Sequence, residues 1–195
     1  DQMMAVFDDA VSELESLGVE VTDFDVPLYD ELHEGAFLAL QAEAFSWHRN
    51  QLGERWFDYG RPTRLTIAKG ALISAGDLVQ IERVREIARK ELARRMREAG
   101  IDLLVSPTTG YAATPFTGAD RKATSLAAMH TPPWNSTGYP ALSVPMGFDQ
   151  DSLPCGMQII GTPFCDDLVL RLGHHYQQRT DWHTLVPPVH LQSTI

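Results

Sequence analysis

Proline is spread so unevenly along this 195-residue chain that it divides the molecule before any other feature is considered. Ten of the 12 prolines stand at or after Pro107. Proline has no amide N–H and its ring clashes with the preceding helical turn, so long helices are confined to the first hundred residues. The remainder must be built from loops, short strands and, at most, helices between prolines.

Hydrophobic spacing fills in that division. Met3, Phe7, Val11, Leu14 and Leu17 recur every three or four residues and predict a helix over 3–17, stopped at Gly18. Val19-Glu20-Val21 alternates, which predicts an extended piece ended by Pro27. A second helix is expected over 30–52, with Leu32, Phe37, Leu40, Ala44 and Trp47 as its apolar stripe, and a third over 63–74. The clearest helix is 77–99. Asp77 is its expected cap with Gln80 as reciprocal partner, Ile81, Val84, Ala88, Leu92 and Met96 form its stripe, and Gly100 stops it. Glu86/Lys90 and Glu91/Arg95 are pairs one turn apart. Strands are predicted at 101–105, Ala141–Pro145 and Met157–Ile160, and a last helix at about 166–179. Helices followed by short apolar strands give an α/β class.

Charge and composition exclude several functions. The net charge of −10 opposes a nucleic-acid partner, because phosphate binding needs clustered cations. Seven of the 16 basic residues lie in 83–97, but acidic residues alternate with them, as on a solvated helix face. No apolar run approaches the about 18 residues of a membrane span, so no membrane partner is expected. Cys155 and Cys165 are too few for a disulfide scaffold and are read as reduced thiols in a cytoplasmic protein.

The usual cofactor and nucleophile motifs are missing. No two glycines are separated by one residue, which removes the dinucleotide fingerprint. Gly156 and Gly161 have P-loop spacing, but Thr162 stands where the lysine must be. The seven histidines show no metal-ligand spacing, so no metal and no cofactor is expected. There is no G-x-S-x-G elbow, and none of the lysines Lys69, Lys90 and Lys122 neighbours a serine.

One stretch is distinctive. From Thr131 the chain runs Thr-Pro-Pro-Trp-Asn-Ser-Thr-Gly-Tyr-Pro-Ala-Leu-Ser-Val-Pro-Met-Gly-Phe, and a polar turn leads to Leu-Pro-Cys-Gly-Met-Gln-Ile-Ile-Gly. This predicts a loop, a strand bracketed by Pro140 and Pro145, a hairpin-like turn and a second strand. Asn135 and Thr137 are suited to bonding nearby backbone, and Gly138 permits a positive φ. By themselves these residues describe a hairpin with polar loop caps.

Asn135-x-Thr137-Gly138-x-Pro140-Ala141-x-Ser143-Val144-Pro145-x-Gly147, followed by Leu153-Pro154-x-Gly156-x-Gln158-Ile159-Ile160-Gly161, resembles the C-terminal part of amidase signature family hydrolases. Asp102-Leu103-Leu104-x-x-Pro107-Thr108 and Ser74-Ala75-Gly76-Asp77 resemble further pieces of the same family, in the same order. The resemblance implies the C-terminal part of a mixed-sheet α/β fold with flanking helices. Residues 1–195 would be the C-terminal portion of one amidase domain, mostly helical over 1–100, with short strands, loops and a last helix over 101–195.

The resemblance also implies a Ser–cis-Ser–Lys triad in a Gly/Ser-rich segment of the N-terminal half. This sequence has no Ser-Ser pair and no Gly-Gly pair, so no catalytic residue is carried onto it. Its expected contribution is a pocket wall. Trp134, Asn135 and Thr137, before the motif strand, and Thr108, at the end of the earlier strand, are the candidate substrate-binding residues. The expected partners are a small amide substrate, the N-terminal half of the same enzyme and a second copy of the chain. In the family's glutamine-using amidotransferase subunits an Asp normally lies three residues before the Thr-x-Pro segment; here that position is Ala128, which argues against that subclass. A non-catalytic structural or interaction domain retaining the fold is the alternative.

Overall fold

A computed structural model describes residues 2–113 and 128–186; Asp1 and Lys122 lie outside them. Helix α1 (Gln2–Ser16) leads through an extended segment to the long α2 (Tyr29–Glu54). The shorter α3 (Arg61–Lys69) ends in a 3-10 turn (Gly70–Leu72), and α4 (Ala75–Ala99) closes the helical half. Strand β1 (Leu103–Pro107), helix α5 (Pro132–Thr137), the hairpin β2 (Ala141–Phe148) and β3 (Pro154–Gly161), and α6 (Asp166–Arg179) follow.

The sheet has the order β1-β3-β2 and is antiparallel at both pairings. The registers place Val105, Ile159 and Leu142 in one row and Pro107, Met157 and Val144 in another. These rows meet α1 and α6 in a core with Met3, Ala10, Leu14, Val169 and Tyr176. The opposite face carries Leu104 and Ile160, which pack with Leu92 and Met96 of α4 and Trp134 of α5. Burying each such aliphatic side chain contributes about 1.5–3 kcal/mol, so β3, covered on both faces, anchors the molecule. Among the described residues the outer edges of β1 and β2 have no strand partner.

Four sequence expectations shift. The residues before β2 form the short helix α5 rather than a loop. Pro132 occupies its first turn and Gly138 ends it at φ 70°. Proline at a helix start loses no bond and glycine at its end accepts the left-handed turn, so signals of irregular backbone here delimit a helix. Pro145 lies inside β2 rather than ending it. The pairing slips between Pro145 and Gly147, and a bulge on an edge strand is where a residue without an N–H is tolerated. The α4 cap is Ser74, not Asp77: Asp77 N–H donates to Ser74 Oγ at 3.1 Å and Ser74 N–H donates to Asp77 Oδ2 at 2.9 Å. Gln80 instead accepts from Arg83 at 2.8 Å.

The last shift concerns α2. Leu32 is buried, but Leu40 and Trp47 are 52% and 82% exposed, so the expected stripe fails beyond its first turns. What α2 packs against there is the turn at Gly70. A Cβ at that position would lie 2.0 Å from the Gln41 carbonyl oxygen, so the helix and the turn meet backbone to backbone. The ion pairs of α4 are as expected, with Lys90 on Glu86 at 3.0 Å and Arg95 on Glu91 at 2.8 Å. Hydrogen bonds from Arg94 and Arg95 hold the Glu91 carboxyl down at about 2.

Candidate active site

Residues 128–131 form a strap between the sheet and α2. Its sheet side is tied by backbone: Gly110 N–H donates to the Ala128 carbonyl at 2.7 Å and His130 N–H donates to the Thr108 carbonyl at 3.0 Å. Gln158, 2% exposed, reaches the strap from the central strand. Its Nε2 donates to the His130 carbonyl at 2.9 Å and to Ser106 Oγ at 2.8 Å. Among the described residues its Oε1 has no hydrogen-bond partner.

Gln158 belongs to a polar row. The register aligns Ser106, Gln158 and Ser143 across the three strands, on the face that also carries Leu104 and Ile160. One step further, Thr108 Oγ1 and Ser143 Oγ lie 2.7 Å apart. They close over Gly156, where a Cβ would sit 3.1 Å from each oxygen. A hydroxyl pair spends one hydrogen on its mutual bond and keeps a second to donate outward.

On its other side the strap borders a groove of about 550 Å³ between α2 and α5. Phe37, Leu40 and Met129 provide apolar wall, and Asn135, Glu43 and Arg85 provide polar groups. Its mostly apolar wall with a few convergent polar groups makes this groove the candidate site. Arg85 is fixed by Nε donating to the Ser136 carbonyl at 2.8 Å and by an ion pair to Glu82. Ser136 Oγ donates to the Leu32 carbonyl at 3.2 Å, which ties α5 to α2.

The four residues singled out in the sequence separate here. Asn135 lines the groove, its Nδ2 donating to the Thr131 carbonyl at 3.0 Å. Thr108 belongs to the hydroxyl pair on the sheet. Trp134 is 4% exposed and packs against Leu92, Met96 and Ile160. Thr137 is equally buried and its hydroxyl donates to the Pro133 carbonyl at 2.9 Å. Phe37, Met129, Glu43, Arg85 and Ser143 are residues that sequence reasoning misses. Arg85 has a signal: it lies between Ile81 and Ala88 on the inward stripe of α4, where a solvated arginine has no place. Both cysteines are free thiols. Among the described residues no group of three or more His, Cys, Asp or Glu side chains could hold a metal, and no helix is long and apolar enough to cross a membrane.

Residues 1–170 match the family model described as Amidase. An amidase of Pseudomonas putida is 30% identical over 186 residues, which are 91% of this chain and 39% of that protein. A glutamyl-tRNA(Gln) amidotransferase subunit of Chloroflexus aggregans is 41% identical over 108 residues, 54% of this chain and 22% of that protein. Among solved structures, one described as a crystal structure of an amidase superposes with a TM-score of 0.77 at 24% identity, covering 90% of this chain and 41% of its own. A bacterial aryl acylamidase of the amidase signature family superposes with a TM-score of 0.74 at 18% identity, over 94% of this chain and 41% of its own. The chain thus spans about two fifths of the length of the amidase it matches along most of its sequence, and with the family model matching residues 1–170, it belongs to the amidase signature family.

Proposed function

We propose that this chain supplies one wall of the pocket in which an amidase holds a carboxylic amide, and that the nucleophile comes from polypeptide outside these residues. The observation that carries this is the groove between α2 and α5. It is bordered by Thr131, Asn135 and Ser136 of the motif segment and by Phe37 and Met129. Apolar wall suits an acyl or amine substituent, and Asn135 and Arg85 can bond the polar amide end.

The parent reaction is then hydrolysis of a linear amide. An activated serine attacks the amide carbonyl, the tetrahedral oxyanion is held by backbone N–H groups, and the C–N bond breaks as the amine takes a proton. Water attacks the resulting acyl-enzyme and releases the carboxylic acid. The chain has no Ser-Ser pair, and the expectation is that by itself it does not hydrolyse amides. Its partners are the amide, the remaining part of the enzyme and, through the open sheet edges, a second copy of itself. Cytoplasmic residence accords with its two free thiols.

A glutamine-using amidotransferase component is the second reading, favoured by the 41% identity to the Chloroflexus protein. Against it, the strap position three before Thr131 is Ala128, whose methyl offers no carboxylate to an amino group.

The test is to titrate short amides with an apolar acyl chain into the 195-residue protein and follow the Met129 methyl and Asn135 side-chain amide signals by NMR. Saturable shifts at both are expected. Shifts absent there, or confined to the turn between β2 and β3, contradict the assignment.

A further inference from the structure

We propose that a strand of the polypeptide that completes this enzyme lies in the cleft between β1 and the segment 19–24, and adds to the open edge of β1. The inference rests on the reading above only in that part of the enzyme lies outside these residues.

The outward groups of β1 follow from its register. Thr108 N–H donates to the Gly156 carbonyl at 2.7 Å, and Gly161 N–H donates to the Pro140 carbonyl on the β2 side at 2.9 Å. Bonding direction alternates along a strand, so Leu104 and Ser106 turn their backbone groups to β3 and Leu103 and Val105 turn theirs outward. Among the described residues no strand meets those outward groups. Val19 N–H closes the end of α1 on the Leu14 carbonyl at 3.2 Å, and after it no backbone–backbone hydrogen bond engages 20–26 among the described residues. A cleft of about 700 Å³ separates the two stretches, with Val19, Val21 and Phe24 on one side and Leu103 and Val105 on the other. Two extended stretches whose donors and acceptors lack backbone partners, on either side of one cleft, have the form of a sheet with a strand left out.

The surroundings fix what fits. Leu103 and Val105 pack toward the core under α1 and α6, whereas Leu104 and Phe24 pack toward α4. A strand between them is covered on both faces, so it is a short run of Val, Ile or Leu rather than an alternation. Its direction follows from α1. Gln2 bonds Gln150, in the turn between β2 and β3, at 2.7 Å, and Gly18 past the other end lines the cleft beside Leu103. Helix α1 therefore runs antiparallel to β1, and 19–24 returns alongside it. A strand parallel to β1 that continues into α1 makes a strand–helix–strand unit with 19–24. The 15 residues of α1 give the crossover of about a dozen or more that parallel neighbours need.

The source of that strand is the rest of the enzyme, because this chain spans about two fifths of the amidase it matches. A second copy fits poorly. Its own β1 lies in its own cleft beside its own 19–24, and cannot enter this one without displacing that segment. The β2 edge stays open to a copy.

Residue-resolved hydrogen exchange tests this on the 195-residue protein and on a longer polypeptide that joins it to the rest of the amidase domain. Protection of Leu104 and Ser106 in both proteins reports that β1 is formed. In the short protein the Leu103 and Val105 amides should exchange freely. In the longer one they should gain protection of about a hundredfold or more. Leu103 and Val105 left unprotected in the longer protein, or already protected in the short one, overturn the proposal. Protection that rises with the concentration of the short protein gives the cleft to a second copy and overturns it equally. Amide hydrolysis reports separately on the reading above: a longer protein that hydrolyses amides with Leu103 and Val105 still exposed removes the strand and leaves that reading standing.

Discussion

Met157, Ile159 and Ile160 on β3 are completely buried, whereas Trp47 on α2 and Phe57 in the turn before α3 are 82% and 85% exposed. The sheet region is covered on both faces by helices of this chain. The α2–α3 arm buries Leu32, Leu52 and Ile67 and adds local devices: the backbone contact at Gly70, the box at Ser74, and an Arg64 guanidinium lying over Trp56 and Phe57. The contrast separates what this chain stabilises by itself from an apolar surface it leaves uncovered. The groove lies on the seam, with α5 on the sheet side and α2 on the arm side.

Ways to break this contrast rank by expected size. Ile159→Ala removes atoms from the packed centre and should cost about 2–5 kcal/mol in urea unfolding; a loss of only about 0.5 kcal/mol, the value for an exposed site, would mean the sheet is not the anchor. Gly138→Val should cost about 1–3 kcal/mol, since φ is 70° there and a β-branched residue is strained in the left-handed region. Its Cβ would meet nothing within 4 Å, so the whole effect comes from the backbone, and Gly138→Asn should recover most of it. Ser74→Ala should cost about 1 kcal/mol by opening the cap of α4, visible as faster amide exchange in its first turn. Trp47→Ala should change stability by no more than about 0.5 kcal/mol in the isolated chain. A larger loss would show that the arm is packed after all, by self-association that light scattering would detect.

Much of this is legible in the residues, and the exceptions have physical causes. The stripe of α4 is a periodic signal whose Ile81, Ala88, Leu92 and Met96 are buried, and the short apolar runs at 141–145 and 157–160 lie within β2 and β3. Helix α5 is hidden because Pro132, Pro133 and Gly138 mark irregular backbone and helix termini alike. The α2 stripe misleads because Leu40 and Trp47 have helical spacing but no described element covers them. At the site, the motifs that contain Asn135 and Thr108 point to them. Phe37, Arg85 and Met129 come from three segments far apart in sequence and become neighbours only through packing. Trp134 and Thr137 sit in the same motif as Asn135 for a different reason: they build the short helix and the core beneath it.

The most direct test of the central claim is labelling by a serine-directed fluorophosphonate with peptide mapping. It should be run on this chain and on a longer polypeptide that joins it to a Gly/Ser-rich segment containing a Ser-Ser pair. The account predicts no labelled serine within these 195 residues and one labelled serine in the added segment, with amide hydrolysis only in the longer protein. Stoichiometric labelling of a serine in this chain, with Ser143 the most exposed of the polar row, would contradict it.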